Sequence, residues 1–387
     1  MLVTHVELKD FRNYESLSLE IGSGPTLIVG SNGQGKTNLV EALGFLSTLG
    51  SHRVSVDHAM VRQNTDAAII RVRLEHNERK FLAEVQINRA GANRAQINRS
   101  AIRTRELPRY FSSVLFAPED LALVRGEPSG RRRFIDDLLV LRSPRFSGVI
   151  SDYERVVKQR NMLLKSARAS GVRDAQLSTL DVWDERLVAF GAEIISARSA
   201  LVADLSPEVS SAYERIVGAD HGASLANSLS IISRHDDSDN PVATNAIGEV
   251  ISVTDATTAF TAALESVRKT ERDRAITLVG PHRDDLIFGL NGLPARGYAS
   301  HGESWSFALA LKLASAEILR RESSAGDPVL ILDDVFAELD GSRRQRLAES
   351  IAGFEQVLIT AAVFGDVPEK LAANVVQIRD GGVVTDE

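Results

Sequence analysis

The sequence of 387 residues contains no cysteine. This absence excludes disulfide bonds, thiolate metal ligands and a cysteine nucleophile, and it is compatible with a reducing compartment. Long apolar runs are also missing: Val329–Leu332 is among the longest, whereas a membrane span needs about 20 such residues. The first ten residues have neither the basic nor the apolar segment of a signal peptide. We therefore expect a cytoplasmic protein of two or three domains.

Positive charge is in deficit overall and is concentrated in one segment. The chain has 45 Lys and Arg against 52 Asp and Glu, which gives a net charge of −7. Residues 50–135 nevertheless hold 16 basic and 9 acidic side chains, so this segment carries +7 and the remainder −14. Such asymmetry indicates either a nucleic-acid-binding face or a solvated, arginine-rich sheet edge. Composition leaves both alternatives open.

The hydrophobic pattern predicts an α/β protein interrupted by helices. Strand-like alternation dominates both ends of the chain, and helical spacing dominates from about 146 to 272. Strands are predicted at 2–11, 16–21, 25–29, 67–75, 80–89, 95–99, 275–279, 286–290, 329–334, 356–360 and 375–378, helices at 38–49, 146–165, 181–205, 207–217 and 256–272, and polar loops at 166–176 and 233–245. The simplest organisation is a first lobe at 1–135, an inserted helical arm at 136–273 and a second lobe at 274–387.

A phosphate-binding loop lies between the first predicted parallel strand and its helix. It reads Gly30-Ser31-Asn32-Gly33-Gln34-Gly35-Lys36-Thr37. The glycines allow backbone N–H groups to close around phosphate oxygens, and the helix N-terminus adds its dipole. We expect Lys36 to reach the β and γ phosphates of ATP, and the Thr37 hydroxyl to bind Mg²⁺. Gly50 is expected to follow the end of the helix.

Two adjacent acids end a strand far along the chain. The run Val329–Leu332 is typical of a buried parallel strand, and Asp333 and Asp334 follow it at the carboxyl end, where ligands bind. Asp333 is expected to hold Mg²⁺ through water, and Asp334 to polarise an attacking water molecule. The alternative, a solvated strand end, explains one acid more easily than two.

A second phosphate-reading turn follows the first by 263 residues. Ser300 and Gly302 open an apolar helix that cannot obviously reach a nucleotide on the same chain. A second copy, placed head to tail, would bring this Ser hydroxyl and helix N-terminus to the γ-phosphate bound by Thr37 and its loop. The alternative is an ordinary N-cap serine. The loop and the paired acids favour an ATP-bridged dimer.

These motifs together resemble a known family. Their order is similar to that in ATP-binding-cassette ATPases of the SMC type, and several stretches more specifically resemble the RecF family of bacterial recombination mediators. The stretches are LKDFRNYESLSLEI at 8–21, GSNGQGKTNLVEAL at 30–43, SHR at 51–53, FAPEDLALVRGEPSGRRRFID at 116–136, GPHRDDL at 280–286 and LDDVFAELD at 332–340. The resemblance implies a P-loop ATPase head, α/β in class and split into two lobes, with an inserted helical arm.

The same resemblance implies a function in recombinational DNA repair. Members of such a family bind ATP and Mg²⁺, dimerise, and bind DNA, including single strands, duplexes and gap junctions. With RecR and RecO they help RecA to load onto single strands, and their weak ATPase acts as a release switch. The loop at Phe116–Asp120 would then sense the γ-phosphate, with an ordinary proline-containing turn as the alternative. Arg131, Arg132 and Arg133 are candidates for DNA contacts, with salt bridges to nearby acids as the alternative.

Two residues depart from the pattern of the family. Its signature commonly continues with Gln and then a basic residue, where this chain has Glu303 and Trp305. A carboxylate near the γ-phosphate would repel it unless the side chain turns away. A switch histidine is also absent from the strand that ends at Thr360, and this threonine is a candidate for that role.

Two other classes of function share the phosphate loop. A transporter ATPase subunit would keep its loop and its signature helix much closer in sequence than Thr37 and Ser300. A small-molecule kinase or a GTPase would need an acceptor pocket or an Asn-Lys-x-Asp stretch, which the sequence lacks. The long insertion and the missing stretch favour the DNA-binding ATPase.

Overall fold

The structure is a computed structural model that describes residues 1–77, 79–170, 178–232, 246–247, 250–323 and 326–384. The strands are β1 Leu2–Phe11, β2 Tyr14–Glu20, β3 Gly24–Val29, β4 Ala67–His76, β5 Arg79–Asn88, β6 Arg94–Ile97, β7 Ser100–Ile102, β8 Ser113–Phe116, β9 Ser224–Ser228, β10 Ala246–Ile247, β11 Asp285–Leu290, β12 Leu293–Pro294, β13 Val329–Asp333, β14 Gln356–Ala361, β15 Asn374–Arg379 and β16 Gly382–Val384. The helices are α1 Lys36–Thr48, α2 Leu121–Arg125, α3 Pro128–Arg142, α4 Phe146–Ser170, α5 Ser178–Val217, α6 Val253–Arg274, α7 Ala295–Tyr298, α8 His301–Glu322 and α9 Gly341–Ser350.

The chain divides into two compact units. Unit 1 comprises Met1–Leu121, Ser211–Asp220 and Trp305–Glu387, and unit 2 comprises Ala122–Ser210 and His221–Ser304. The segments 122–135 and 274–304, which the sequence suggested as parts of the two lobes, thus belong to unit 2. The division at 135 and 273 stays a prediction about domains.

Unit 1 contains an antiparallel sheet in the order β2-β1-β4-β5-β6-β7. Its strands alternate because one face packs on the core and the other meets solvent. Val6 and Leu8 of β1 and Val72 of β4 are fully or almost fully buried, while Glu7 and Arg71 between them lie on the outer face. The strands predicted in this region are confirmed, with shifts of a few residues at their ends.

A mixed sheet in unit 1 carries the phosphate loop. Its order is β16-β15-β3-β14-β13-β8, and all neighbours except β15 and β16 pair in parallel. Residues 329–333 are buried without interruption, as expected of a strand covered on both faces. Strand β8, next to β13, was not predicted from the sequence because its four residues show no clear alternation.

Helix α1 follows β3 through the phosphate loop and begins at Lys36, two residues earlier than predicted. It ends at Thr48, and Leu49 adopts the left-handed conformation at the C-cap with φ of 56°. Gly50 follows this C-cap residue, as expected, although Leu49 and not Gly50 adopts the left-handed conformation. The N–H of Leu49 bonds to the carbonyl of Phe45 at 2.8 Å, and this helical bond helps to hold the strained backbone.

Unit 2 is built from helices and a small sheet in the order β10-β9-β11-β12. The two helices predicted at 181–205 and 207–217 are one helix, α5, with Pro207 inside it. Proline removes one helical N–H and is destabilising there, but it did not end the helix. The predicted loop at 166–176 is helical up to Ser170. Its remainder and the predicted loop at 233–245 lie outside the described residues.

The strand predicted at 275–279 does not form. Ala275 caps α6 with φ of 55°, so the chain turns at the point where a strand was expected. The N–H of Thr277 donates to Asn161 Oδ1 at 2.7 Å, and that of Leu278 to Glu271 Oε1 at 2.7 Å. Side-chain acceptors therefore replace strand partners. Among the described helices, none is long and apolar enough to cross a membrane.

Candidate nucleotide site and signature helix

The phosphate loop has the backbone that its glycines permit. Gly33 and Gly35 have φ of 83° and 119°, which side chains disfavour. A side chain at Gly35 would also come within 2.7 Å of the Tyr14 hydroxyl. Lys36 Nζ donates to the carbonyl oxygens of Gly30 at 2.8 Å and Ser31 at 3.3 Å. The ammonium is thus held at the loop, within reach of an anion bound there.

The phosphate loop is braced by residues on which sequence reasoning placed no role. Asn13 Nδ2 donates to the carbonyl of Gln34 at 3.1 Å, and the buried Tyr14 hydroxyl to that of Gly35 at 2.9 Å. Burial raises the pKa of Tyr14, so its hydroxyl stays a donor. On another side, the N–H of Asp380 donates to Gln34 Oε1. The signal in the sequence for these contacts was the turn FRNYE at 11–15, because it lies in a stretch that resembles the RecF family.

The paired acids lie at the carboxyl end of β13, and the structure brings one of them to the loop. Asp333 Oδ1 accepts from the hydroxyls of Thr360 at 2.5 Å and Thr37 at 3.3 Å. Asp333 is 2% exposed, and burial raises its pKa to about 6, with a further contribution from the charge of Asp334. A cation placed beside Thr37 and Asp333 would relieve this cost.

Asp334 has an unusual backbone and an unsatisfied oxygen. Its φ is 53°, and its N–H donates to Thr360 Oγ1 at 3.0 Å. Its Oδ1 is buried and has no hydrogen-bond partner among the described residues. Burial raises the pKa of Asp334, and Lys36 lowers it. Strained, unsatisfied carboxylates of this kind are typical of functional sites. Thr360 is fully buried and serves both acids, so its contacts here are those of a support for the pair.

The donor set at Thr37 and Asp333 fits Mg²⁺. Magnesium prefers hard oxygen ligands, and it is usually held by one or two protein groups together with water and substrate phosphates. The described residues contain no cluster of three or more His, Cys, Asp or Glu side chains that could enclose a metal without such help. The stretch His282–Asp285 accordingly shows no metal cluster.

The segment that follows β8 is fixed against helix α8 within unit 1. Lys312 Nζ donates to the carbonyl of Leu115 and pairs with Asp120 Oδ1, both at 2.9 Å. Phe116 and Trp305 form an edge-to-face pair with ring centroids 4.9 Å apart. In the same segment, the charge of Glu119 contributes to the raised pKa of Asp333. Glu119 therefore lies close to the acid pair.

Ser300 and Glu303 form a capping box at the start of α8, in unit 2. The N–H of Glu303 donates to Ser300 Oγ at 3.3 Å, and the N–H of Ser300 donates to Glu303 Oε2 at 2.8 Å. The Ser300 residue itself is exposed, and Gly302 is half-buried. The Glu303 carboxylate is thus directed back to its own backbone, and Trp305 is a buried core residue at 4% exposure.

Arg125 supports this turn and was missed from the sequence. Its Nε donates to Ser304 Oγ at 3.1 Å, and its Nη2 to the carbonyl of Ala299 at 3.3 Å. Ser304 Oγ in turn donates to the carbonyl of Ser300 at 2.8 Å. No local pattern reveals such a contact, because Arg125 and Ser304 are 179 residues apart.

Known proteins are similar in sequence to this chain over nearly its whole length. The family model described as RecF/RecN/SMC N terminal domain matches residues 2–378. A DNA replication and repair protein RecF of Clavibacter sepedonicus is 64% identical, with 99% of this chain and 95% of that protein covered. One of Streptomyces avermitilis is 51% identical, with 99% of both covered.

The chain belongs to the RecF family. A solved structure described as the recombination mediator protein RecF-ATPrS in the RecFOR pathway is 28% identical and covers 99% of this chain and 97% of its own, with a TM-score of 0.86. An Smc head domain from Pyrococcus furiosus, at 17% identity and a TM-score of 0.52, shares the fold. The predicted fold class, an SMC-type ATPase head, is therefore confirmed.

The three consecutive arginines of the RecF-like stretch at 116–136 have different surroundings. Arg131 is 3% exposed and bonds in a bidentate manner to Asp285 at 2.7 and 2.8 Å. Arg132 donates to the carbonyl of Asp284 at 2.7 Å. Arg133 is 53% exposed and lies 3.7 Å from Asp137. These contacts favour the salt-bridge alternative for Arg131, whose guanidinium is enclosed, and leave Arg133 as the accessible cation of the three.

The stretch GPHRDDL contributes to the interior of unit 2. Asp284 Oδ1 accepts from the N–H and hydroxyl of Ser230, both at 2.8 Å, and burial raises its pKa to about 6. His282 Nδ1 lies 2.7 Å from the Tyr153 hydroxyl, and burial lowers the His282 pKa to about 4. Arg198 donates to the carbonyl of Pro281 at 2.7 Å. These groups are buried and hydrogen-bonded to their neighbours, so the motif has a structural role in unit 2.

Proposed function

We propose that this protein is an ATP-dependent DNA-binding protein of recombinational repair whose two copies associate through bound ATP. The observation that carries the proposal is the approach of the Thr37 hydroxyl to the Asp333 carboxylate beside the phosphate loop. A relative that is 64% identical to this chain is named as a DNA replication and repair protein. A related structure is described as a recombination mediator with ATP in the RecFOR pathway, which supports ATP as the ligand.

Each residue of the loop and the acid pair has a distinct task in this proposal. Backbone N–H groups of the loop and the N-terminus of α1 bind phosphate oxygens, and Lys36 neutralises charge at the β and γ phosphates. Thr37, and Asp333 through water, would hold Mg²⁺, and the ion would supply positive charge to offset the charge that develops on the phosphates. Asp334, with its unsatisfied oxygen, orients the attacking water. The loop at Phe116–Asp120, with Glu119, senses the γ-phosphate.

A second copy of the chain completes the binding site for the γ-phosphate. Ser300 is exposed at a capped helix start, and its O–H group can donate to an anion at the helix N-terminus. Two equivalent contacts give a closed, isologous dimer that holds two ATP molecules. Slow hydrolysis then removes the bridging phosphate and separates the copies.

We infer the binding partners of this protein from its relatives. In this proposal the dimer binds DNA at single-stranded, duplex and gapped sites in the cytoplasm. It acts with RecR and RecO, and through them it promotes RecA loading. The basic segment at 50–135 supplies the attraction for DNA phosphates.

Sedimentation velocity tests the dimer. Wild type and Ser300→Arg are compared without nucleotide, with ADP and with a non-hydrolysable ATP analogue. Ser252→Arg is the matched control, because Ser252 is also an exposed N-cap serine that accepts from a backbone N–H, at the start of α6. Wild type and the control should dimerise with the analogue alone, and Ser300→Arg should stay monomeric. A wild type that ignores nucleotide, or a Ser300→Arg protein that still dimerises, contradicts the proposal.

A further inference from the structure

Five exposed arginines crowd the edge of the antiparallel sheet in unit 1. They lie on the β6–β7 hairpin, at the residue that follows it, and on the two-turn 3-10 helix at Thr104–Arg109. We call them the arginine patch: Arg94, Arg99, Arg103, Arg105 and Arg109. Strand β7 is the last strand of the sheet, so this edge has no further strand beside it in the described chain.

The hairpin directs part of the patch away from the core. Ala95 pairs with Ile102, and Ala95 is buried. Side chains alternate along a strand, so Arg94 and Arg103, next to that pair, lie on the solvent side. The turn residues Asn98 and Arg99 have φ of 50° and 68°, a geometry typical of a tight hairpin turn, and place Arg99 at its tip.

The charge of the patch is not neutralised. Residues 94–110 contain five arginines and one acid, Glu106, whose carboxylate accepts from the N–H of Arg103 at 3.2 Å. Within the part of the chain that the structure describes, none of the five guanidinium groups forms an ion pair. Other cations of the same sheet are paired: Arg71 lies beside Glu84 and Arg73 lies 3.8 Å from Glu7.

An edge strand can carry charge simply to prevent pairing with another chain. That explanation accounts for cations on the hairpin at this edge, but not for Arg105 and Arg109, which lie on the following 3-10 helix. The side chains between the arginines include Gln96, Asn98, Ser100 and Thr104. They are short polar groups that can bond to phosphate oxygens. Tyr110, 36% exposed, adds an aromatic ring at the end of the patch.

We propose that the arginine patch binds the phosphate backbone of double-helical DNA. The proposal rests on the proposed function and specifies where in unit 1 the duplex lies. Arg94 lies about 10 Å along β6 from Ile97, and the turn that follows places Arg99 beyond Ile97. A duplex carries about one negative charge per 1.7 Å of axis, so a patch of this length faces several phosphates at once. Phosphate contacts of this kind bind without regard to base sequence.

The test compares two triple variants of equal charge change. The patch variant is Arg94→Gln/Arg103→Gln/Arg105→Gln. The control variant is Arg71→Gln/Arg73→Gln/Lys80→Gln, on the same sheet, whose three cations already face carboxylates. Fluorescence anisotropy of a labelled duplex, with the ATP analogue present, gives Kd over a series of salt concentrations. Analogue-driven dimerisation of each variant verifies its fold.

Loss of three phosphate contacts should reduce the slope of log K against log salt by about 2.7. The ratio of the patch variant's Kd to that of wild type should then rise by roughly 80-fold as salt falls from about 0.5 to about 0.1 M. The control variant should bind within about twofold of wild type, as expected for screened surface pairs.

Each other outcome overturns the inference. Equal losses in both variants would mean that overall charge attracts DNA and that the patch makes no contact. A patch variant that binds like wild type would place the duplex elsewhere, while the proposed function stands. A wild type that binds no duplex at any salt concentration would refute the proposed function as well.

Discussion

Asp333→Asn should stabilise the protein when no nucleotide is bound, although it removes a residue proposed to hold Mg²⁺. Asp333 is almost fully enclosed, and burial raises its pKa from 3.8 to about 6. At about 1.4 kcal/mol per unit, a native state with a charged Asp333 is about 3 kcal/mol less stable than it would be with an unperturbed carboxyl group. Asparagine keeps the shape and an oxygen for the Thr360 hydroxyl.

The sign of the pH dependence follows from proton binding. Between the two pKa values the native state holds more protons than the unfolded state, so stability falls as pH rises through this interval. Below the unfolded pKa the penalty is absent. It reaches about 1.6 kcal/mol at pH ~5 and about 3 kcal/mol at pH ~8. Asp333→Asn should therefore gain more at the higher pH, roughly 6–12 °C in Tm for a unit of about 200 residues.

Thermal unfolding in EDTA at both pH values measures this gain. Asp340→Asn is the control, because Asp340 is an exposed N-cap whose pKa is lowered, chiefly by its hydrogen bond to Ser342. It should give no stabilisation. In a second arm, Mg²⁺ and the ATP analogue should raise the Tm of wild type and leave that of Asp333→Asn unchanged. A Tm at or below that of wild type for nucleotide-free Asp333→Asn at pH ~8 would refute the argument from burial.

The remaining predictions concern the loop, the signature helix and the interior of unit 2. Lys36→Ala should fold normally but lose analogue-driven dimerisation, because among the described residues its ammonium bonds only to loop carbonyls; a dimer in sedimentation would contradict its role. Glu303→Gln keeps a capping-box residue without the charge, so the analogue concentration for half-maximal dimerisation should fall by roughly fivefold, or about 1 kcal/mol; a rise would show that the carboxylate assists binding. Arg160→Met leaves the buried Glu271 without its ion-pair partner and should cost about 3–5 kcal/mol in urea unfolding. Adding Glu271→Gln should recover part of that loss, and an additive double variant would argue against the pair.

Local patterns predicted the parts of the fold that depend on local physics. The apolar run Val329–Leu332 gave a buried strand, and the spacing of glycines with Lys36 gave the phosphate loop, because both signals are contained in a few neighbouring residues. The meeting of Thr37 and Asp333 was also expected, since parallel strands align their carboxyl ends at one edge of a sheet.

The errors arose where distant residues decide the local structure. The segment 275–279 has a strand-like composition, but Asn161 and Glu271 bond its N–H groups instead. For Arg131 the sequence left a DNA contact and a salt bridge open, because the acid that encloses its charge, Asp285, is 154 residues away. The same holds for the contacts of Asn13 with the phosphate loop and of Arg125 with the start of α8. These contacts join residues that are far apart in sequence, and local periodicity does not reveal them.

The order of strands in the mixed sheet has a consequence for protein synthesis. Strand β3, which leads into the phosphate loop, pairs with β14 on one side and β15 on the other. Both partners leave the ribosome more than 300 residues after β3, and Gln34 of the loop also bonds to Asp380. A nascent chain therefore cannot assemble the proposed ATP site until β14 and β15 have been made. Incomplete chains should consequently be unable to bind ATP or to join a dimer with finished copies.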